Sequence, residues 1–389
     1  MDGAKFAKML SDKHLFELDR MEYKYSVSSV NEFTELLRQN FAQSLPLVDF
    51  SSDELFYLPN LARISTNGMK QLLSAPASNQ SFGLQAMTEE IHATFQIESI
   101  HSSRNSIRHI LNGYAPRNEE ESRIYGMKRG LDFIADRQNT ITEENLHQLY
   151  QISTGDYLPD EDRLLPDHFY RHDVVYVVDG EESREGLPAQ QLPDAMKRLV
   201  DFANAKDGIN KLHKAAILHF SFAYYHPYFD GNGRTARLLH LWYLVQQGYP
   251  AALFTPFSRY IAESKAAYYK AYDRVEKNAL ISGYTDVTPF LSYFCNEVYN
   301  RLQVDAAPPQ ADLQVYQTAL AEGKITEKER LLWEYVLSAY GTEEFTTKQL
   351  EKDFRNAAYA TIRTFVMKFH EMELLVARKT GNRVFYKVK

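Results

Sequence analysis

The chain has 389 residues, a net charge of −7 at pH 7 and apolar residues at 44% of its positions. That length suits two or three domains with sizeable cores, and the composition excludes wholesale disorder and a protein that coats nucleic acid or anionic membrane along its length. A single cysteine, Cys295, excludes an internal disulfide.

No apolar run approaches the ~20 residues of a membrane span. The start, Met1-Asp2-Gly3-Ala4-Lys5-Phe6, lacks a secretion signal pattern. A soluble, cytoplasmic protein with no membrane partner is therefore expected.

In chain order, the region 1–86 reads as an N-terminal helical region, with a helix-like stretch from Val30 to Leu37 and an apolar run at Leu55-Phe56-Tyr57-Leu58-Pro59. From Met87 to Leu302 the periodicity is that of amphipathic helices. One segment breaks it: Phe169-Tyr170-Arg171-His172-Asp173-Val174-Val175-Tyr176-Val177-Val178-Asp179-Gly180 is β-branched and aromatic and ends in an Asp-Gly turn signal, which predicts a hairpin. Asp305-Ala306-Ala307-Pro308-Pro309 reads as a linker, since paired prolines stop a helix.

Beyond it, Glu327 to Ala339 predicts a helix, and Thr346 is a good N-cap for a second. Ile362, Phe365, Val366, Phe369 and Met372 form the stripe of a third. Leu374 to Arg378, a Thr380-Gly381-Asn382 turn and Val384 to Val388 make a terminal hairpin, so this end resembles a winged helix. The expected fold is mainly α, with domains at 1–86, 87–304 and 310–389.

The chemistry concentrates in His226-Pro227-Tyr228-Phe229-Asp230-Gly231-Asn232-Gly233-Arg234-Thr235-Ala236-Arg237. An apolar helix from Leu212 ends at Tyr225 because Pro227 forbids its continuation. A second begins near Arg234. Between them Gly231-Asn232-Gly233 permits positive φ and close approach to a ligand. The free N–H groups and positive dipole end of the second helix make an anion site. Arg234 and Arg237, three apart, can grip phosphate from one face. Asp230 beside an anion cradle calls for an intervening hard cation such as Mg2+. His226, with an ordinary pKa of ~6.5, suits a general base.

This string resembles the defining motif of the Fic family, His-Pro-Phe-x-Asp/Glu-Gly-Asn-Gly-Arg-x-x-Arg, with Tyr228 in place of Phe. The resemblance covers Met87 to Leu302. It implies a protein adenylyltransferase that moves AMP from ATP onto a protein hydroxyl. His226 would be the general base, Asp230 the Mg2+ ligand, and Asn232 with Gly231 and Gly233 the anion hole. Arg234 and Arg237 would hold the outer phosphates. Tyr268-Tyr269-Lys270-Ala271-Tyr272 is similar to the family's stretch near the nucleotide base, which places Tyr269 by the adenine. The hairpin at 169–187 stands where the family has its flap, which receives a target protein by strand addition. Self-modification and a homodimer are both compatible with this picture.

Thr94-Phe95-Gln96-Ile97-Glu98-Ser99 resembles the family's inhibitory helix, in the class where that helix precedes the core. Ser99 stands where Gly or Asn is usual. In the family the glutamate pairs with the second motif arginine, here Arg237, and takes the place of the γ-phosphate.

Other readings keep the fold and change the reaction to transfer of UMP, phosphate or phosphocholine, or to removal of AMP. Arg234 and Arg237 favour a triphosphate donor. A winged-helix transcriptional regulator is the alternative of another class. Residues 342–389 hold ten Lys or Arg against six Asp or Glu, but the recognition helix carries only Arg363 and Lys368, so DNA is not the favoured partner. A metal hydrolase built on His213, His219, His226 and His240 lacks an H-E-x-x-H pattern and is the weakest reading.

Overall fold

The computed structural model describes residues 1–65, 80–179, 182–249, 251–302, 310–340, 344–381 and 383–389. The expected linker at 305–309 lies outside the described residues, as do Gly180 and Asn382 of the two expected turns. The architecture is mainly helical, with three two-stranded sheets among the described residues.

Helices α1 (Gly3–Leu10), α2 (Leu18–Tyr25) and α3 (Val27–Phe41) open the chain and share a small core of Met9, Met21, Val30, Phe33 and Leu37. The region is not helical throughout. Strands β1 (Gln43–Val48) and β2 (Glu54–Tyr57) follow as an antiparallel pair. Leu45 and Leu47 alternate with Ser44 and Pro46, a period-two signal. They join Leu55 and Tyr57 in the main core, whereas the three helices before them keep their own small cluster.

The main core is built on α9 (Lys211–Tyr225) and α10 (Asn232–Gln246), which pack against each other and are buried on nearly every side. Around them lie α4 (Gln80–Ile97), α5 (Arg104–Leu111), α6 (Glu119–Ala135), α7 (Glu143–Ser153) and α8 (Leu192–Asn204). Helices α11 (Phe257–Glu263), α12 (Lys265–Ser282) and α13 (Thr288–Tyr293) complete the shell. The starts are set by local chemistry: Asn118, Thr142 and Asn210 each accept from a backbone N–H of the helix that follows.

Strands β3 (Tyr176–Asp179) and β4 (Glu182–Glu185) pair antiparallel from Tyr176 opposite Glu185 to Asp179 opposite Glu182. The ladder is shorter than the sequence pattern predicted. Phe169 is stacked on His147 at 4.7 Å, and the Tyr170 hydroxyl donates to Glu143 at 2.7 Å. Both side chains are anchored to α7 and its start, so the residues before Tyr176 are drawn out of the ladder.

At the C-terminal end come α14 (Gln310–Ala321), α15 (Glu327–Ala339), α16 (Thr347–Phe354) and α17 (Tyr359–Glu371), then β5 (Leu375–Thr380) and β6 (Arg383–Val388). Thr326 and Glu329 form a capping box on α15, and Thr346 caps α16. A Phe345 to Tyr386 bridge ties the hairpin to the helices. Leu332, Trp333, Val336, Ile362, Phe365 and Phe369 make a second core, separate from the first. Helix α15 packs along α4. Beside that contact Asn112 donates to the Tyr335 hydroxyl at 3.0 Å, and the Arg355 guanidinium sits 3.5 Å from the centre of the Tyr114 ring.

Candidate active site

The motif loop joins the end of α9 to the start of α10. His226 caps α9 in the left-handed region, φ 54°, and its N–H still donates to the Phe222 carbonyl at 3.1 Å. The ring is half-buried, with Nδ1 3.4 Å from the Ala223 carbonyl. As an Nδ1–H donor to that carbonyl, the imidazole would accept a proton at Nε2.

Asn232 shapes the loop. Its Oδ1 accepts from the Tyr228 N–H at 2.9 Å and its Nδ2 donates to the Tyr228 carbonyl at 2.8 Å. The side chain is thus committed to the loop, which leaves the main-chain N–H of Asn232 as the group it could offer an anion. Gly231 is the N-cap of α10 at φ 84° and brings no capping side chain, so the first N–H groups of the helix have no intrahelical acceptor. A Cβ on Gly231 would lie 2.3 Å from Thr154 Cγ2. Glycine is required there twice over, by conformation and by space.

Asp230 is half exposed at the rim. Its Oδ1 accepts from the Gly231 N–H at 2.5 Å and its Oδ2 pairs with Arg234 Nη2 at 2.8 Å. Arg234 is 3% exposed and its buried Nε has no partner among the described residues. This donor set fits a magnesium ion that arrives with a polyphosphate. One rim carboxylate cannot hold the ion alone, but it can complete a coordination shell made mostly of phosphate oxygens and water. No group of three or more His, Cys, Asp or Glu that could hold a metal lies among the described residues.

Arg237 is 3% exposed and faces α4. Its Nε donates to Thr94 Oγ1 at 2.5 Å and its Nη2 pairs with Glu98, while Nη1 is buried with no partner among the described residues. Burial is the largest single influence on the guanidinium and lowers its pKa, but the charge and hydrogen bond of Glu98, together with Tyr268 and Tyr269, outweigh it and the net shift is upward. A Cβ on Gly233 would lie 2.3 Å from Glu98 Oε1 and 3.3 Å from Arg237 Nη1. The Glu98 carboxylate therefore rests against the backbone of the first turn of α10, where an anion would bind. Tyr269, half-buried on α12, lies at the end of α4, its hydroxyl 3.5 Å from the Ile97 carbonyl.

Helix α4 ends in a Schellman motif: Ile100 N–H donates to the Phe95 carbonyl at 2.8 Å and Ser99 N–H to Gln96 at 3.2 Å. Ser99 takes φ 57°, the conformation for which Gly or Asn is usual. Two turns before Glu98 on the same face stands Glu90, buried, accepting from the Ser258 N–H at 2.9 Å and from its hydroxyl. Sequence reasoning missed it, although the four-residue spacing of Glu90, Thr94 and Glu98 would have placed them on one face. It also missed Thr154 over Gly231, Tyr150 stacked on Tyr228 at 3.6 Å, and Arg171, which bonds the His226 carbonyl at 2.8 Å.

Of the other histidines, His213 bonds the Ala62 carbonyl, His219 the Tyr268 hydroxyl and His240 the Tyr299 hydroxyl. Burial pushes the pKa of His240 down to about 3, so it is a neutral core residue. The structure does not bring these rings together with His226 as a ligand set.

Fold and loop define a mainly helical chain carrying a Fic/DOC domain: residues 140–244 match the Fic/DOC family model. Among similar proteins, protein adenylyltransferase fic-1 of Caenorhabditis elegans is 30% identical over 102 residues, 26% of this chain and 18% of that protein. Protein adenylyltransferase Fic of Nematostella vectensis is 28% identical over 141 residues, 34% of this chain and 31% of that protein. The chain thus spans less than a third of the length of these curated relatives. A Fic family protein from Desulfovibrio desulfuricans shares the fold, with a TM-score of 0.52 at 16% identity, over 84% of this chain and 97% of that one. No helix among the described residues is long and apolar enough to cross a membrane.

Proposed function

We propose that this chain transfers AMP from ATP to a hydroxyl of a protein, and that Glu98 restrains the reaction. The observation that carries the reading is what gathers at the first turn of α10: a rim carboxylate, two buried arginines, and a glutamate from another helix standing against Gly233 and Arg237, with His226 at the other end of the same loop.

The N–H groups of the first turn and Arg234 seat the phosphates. Asp230 is the residue that would hold Mg2+, which, bound with the nucleotide, neutralises charge on the phosphate oxygens. His226 takes the proton of the target hydroxyl as its oxygen attacks the α-phosphorus. The bond from that phosphorus to the bridging oxygen breaks, and pyrophosphate leaves with the electron pair. Side-chain placement supports the restraint. While Glu98 neutralises Arg237 and occupies the space by Gly233, the γ-phosphate has no seat, and ATP binds with its α-phosphate off line. A displacement of about 1 Å costs on the order of a hundredfold in rate.

Target presentation by strand addition to the hairpin at 169–187 belongs to this reading, as does self-modification. A residence in the cytoplasm, and a winged-helix role for 310–389 in binding a protein rather than DNA, are further parts of the proposal. The test is intact mass after incubation with ATP and magnesium. Glu98→Gly is expected to gain one AMP adduct or more, wild type far less, and Glu98→Gly with His226→Ala none. Equal labelling of wild type and Glu98→Gly would remove the restraint from the account.

A further inference from the structure

Arg171 is 2% exposed, and every acceptor described for its guanidinium is a main-chain carbonyl. Nε donates to the His226 carbonyl at 2.8 Å, Nη1 to Asp173 at 2.6 Å, and Nη2 to Leu187. Its own backbone N–H donates to the Pro227 carbonyl at 2.9 Å. Burial lowers its pKa, partly offset by the charge of Asp173. A buried cation held by carbonyl dipoles is expensive to keep, and a hydrophobic residue would fill the same volume. What the guanidinium adds is geometry: a rigid planar fork that fixes several acceptors relative to one another.

The acceptors belong to the two ends of the hairpin and to the base. Asp173 precedes β3, Leu187 follows β4, and His226 carries the imidazole. Backbone bonds continue the same seam, from Gly186 N–H to Val175 at 2.9 Å and from Leu187 N–H to Tyr225 at 3.2 Å. Gly186 lets the chains come this close: a Cβ there would lie 2.8 Å from Arg171 Nη2 and 3.2 Å from His226 Cβ.

We propose that Arg171 is a positioning residue that locks the hairpin and His226 into one unit, so that a hydroxyl carried by a strand added to the hairpin arrives within reach of the imidazole. This rests on the transferase reading above. Lysine keeps the charge but offers a point donor in place of a fork, and cannot hold three carbonyls from one plane.

The experiment compares Glu98→Gly with Glu98→Gly carrying Arg171→Lys, measuring AMP transfer to protein, AMP released to water, and binding of a fluorescent ATP analogue. Attack by water needs the base and the nucleotide but no added strand. Arg171→Lys is expected to cut transfer to protein by about tenfold or more, to cut release to water less, and to leave nucleotide affinity within about twofold. Gly186→Ala, which pushes a methyl into the same seam and leaves the charge alone, is expected to show the same split. Hydrogen exchange over 174–187 is expected to quicken in both variants. Transfer to protein within about twofold of the parent in either folded variant overturns the inference, as does an equal fall in both reactions. An inactive Glu98→Gly parent instead overturns the transferase reading on which the inference stands.

Discussion

Tyr228 is fully buried, stacked on Tyr150, and its hydroxyl has no partner among the described residues. A buried hydroxyl without a partner costs about 1–3 kcal/mol, because it gives up water and receives nothing. Tyr228→Phe, which restores the residue usual in the Fic motif, is therefore expected to raise unfolding stability by about 1 kcal/mol in a urea titration. At this scale the motif was legible in sequence because its roles are local. Pro227 ends a helix, Gly231 supplies φ 84°, and Arg234 and Arg237 share a turn. Arg171 and Glu90 were not legible for the opposite reason. Arg171 acts 55 residues away and Glu90 168 residues away; spacing alone puts Glu90 on the face of Thr94 and Glu98, but nothing beside either residue names the distant backbone it serves.

At the scale of elements, helices were readable from periodicity and caps: Glu327 to Ala339 and the stripe of α17 lie where the pattern put them. Two elements were misjudged, the first because tertiary contacts outweigh propensity and the second because its period-two signal at 44–47 is only four residues long. The hairpin begins at Tyr176, since Phe169 and Tyr170 are held by His147 and Glu143. Strands β1 and β2 were read as part of a helical region, though their side chains belong to the main core. That junction carries a pH dependence. Asp286, bridged to Phe56 of β2, accepts from the Thr288 N–H at 2.9 Å at the start of α13. Burial raises its pKa from 3.8 to about 6. A raised carboxyl pKa stabilises the fold fully below pH 3.8, and the contribution is lost as pH climbs through about 6. The loss amounts to about 3 kcal/mol for a shift of this size. Asp286→Asn, which cannot ionise, is expected to flatten that limb of a stability against pH curve between pH 4 and about 7.

Across the whole molecule, α4 is gripped from two sides. One face bears Glu90, Thr94 and Glu98 against α10 and α11, and α15 of the C-terminal helices packs along the same helix. Neither the sequence nor its resemblance foretold that second contact, because it joins helices that lie far apart in the chain. Removing the two polar links beside it, with Tyr335→Ala and Arg355→Ala in the full chain, is expected to speed hydrogen exchange of the amides at 87–98 while those of α9 stay protected. The proposed reaction requires the first turn of α10 to seat a triphosphate with its α-phosphorus in line with a hydroxyl beside His226. Incubating Glu98→Gly in parallel with ATP labelled at the α-phosphate and at the γ-phosphate tests it most directly. Label in the protein from the α-position alone is the predicted result; label from the γ-position, or from neither, contradicts it.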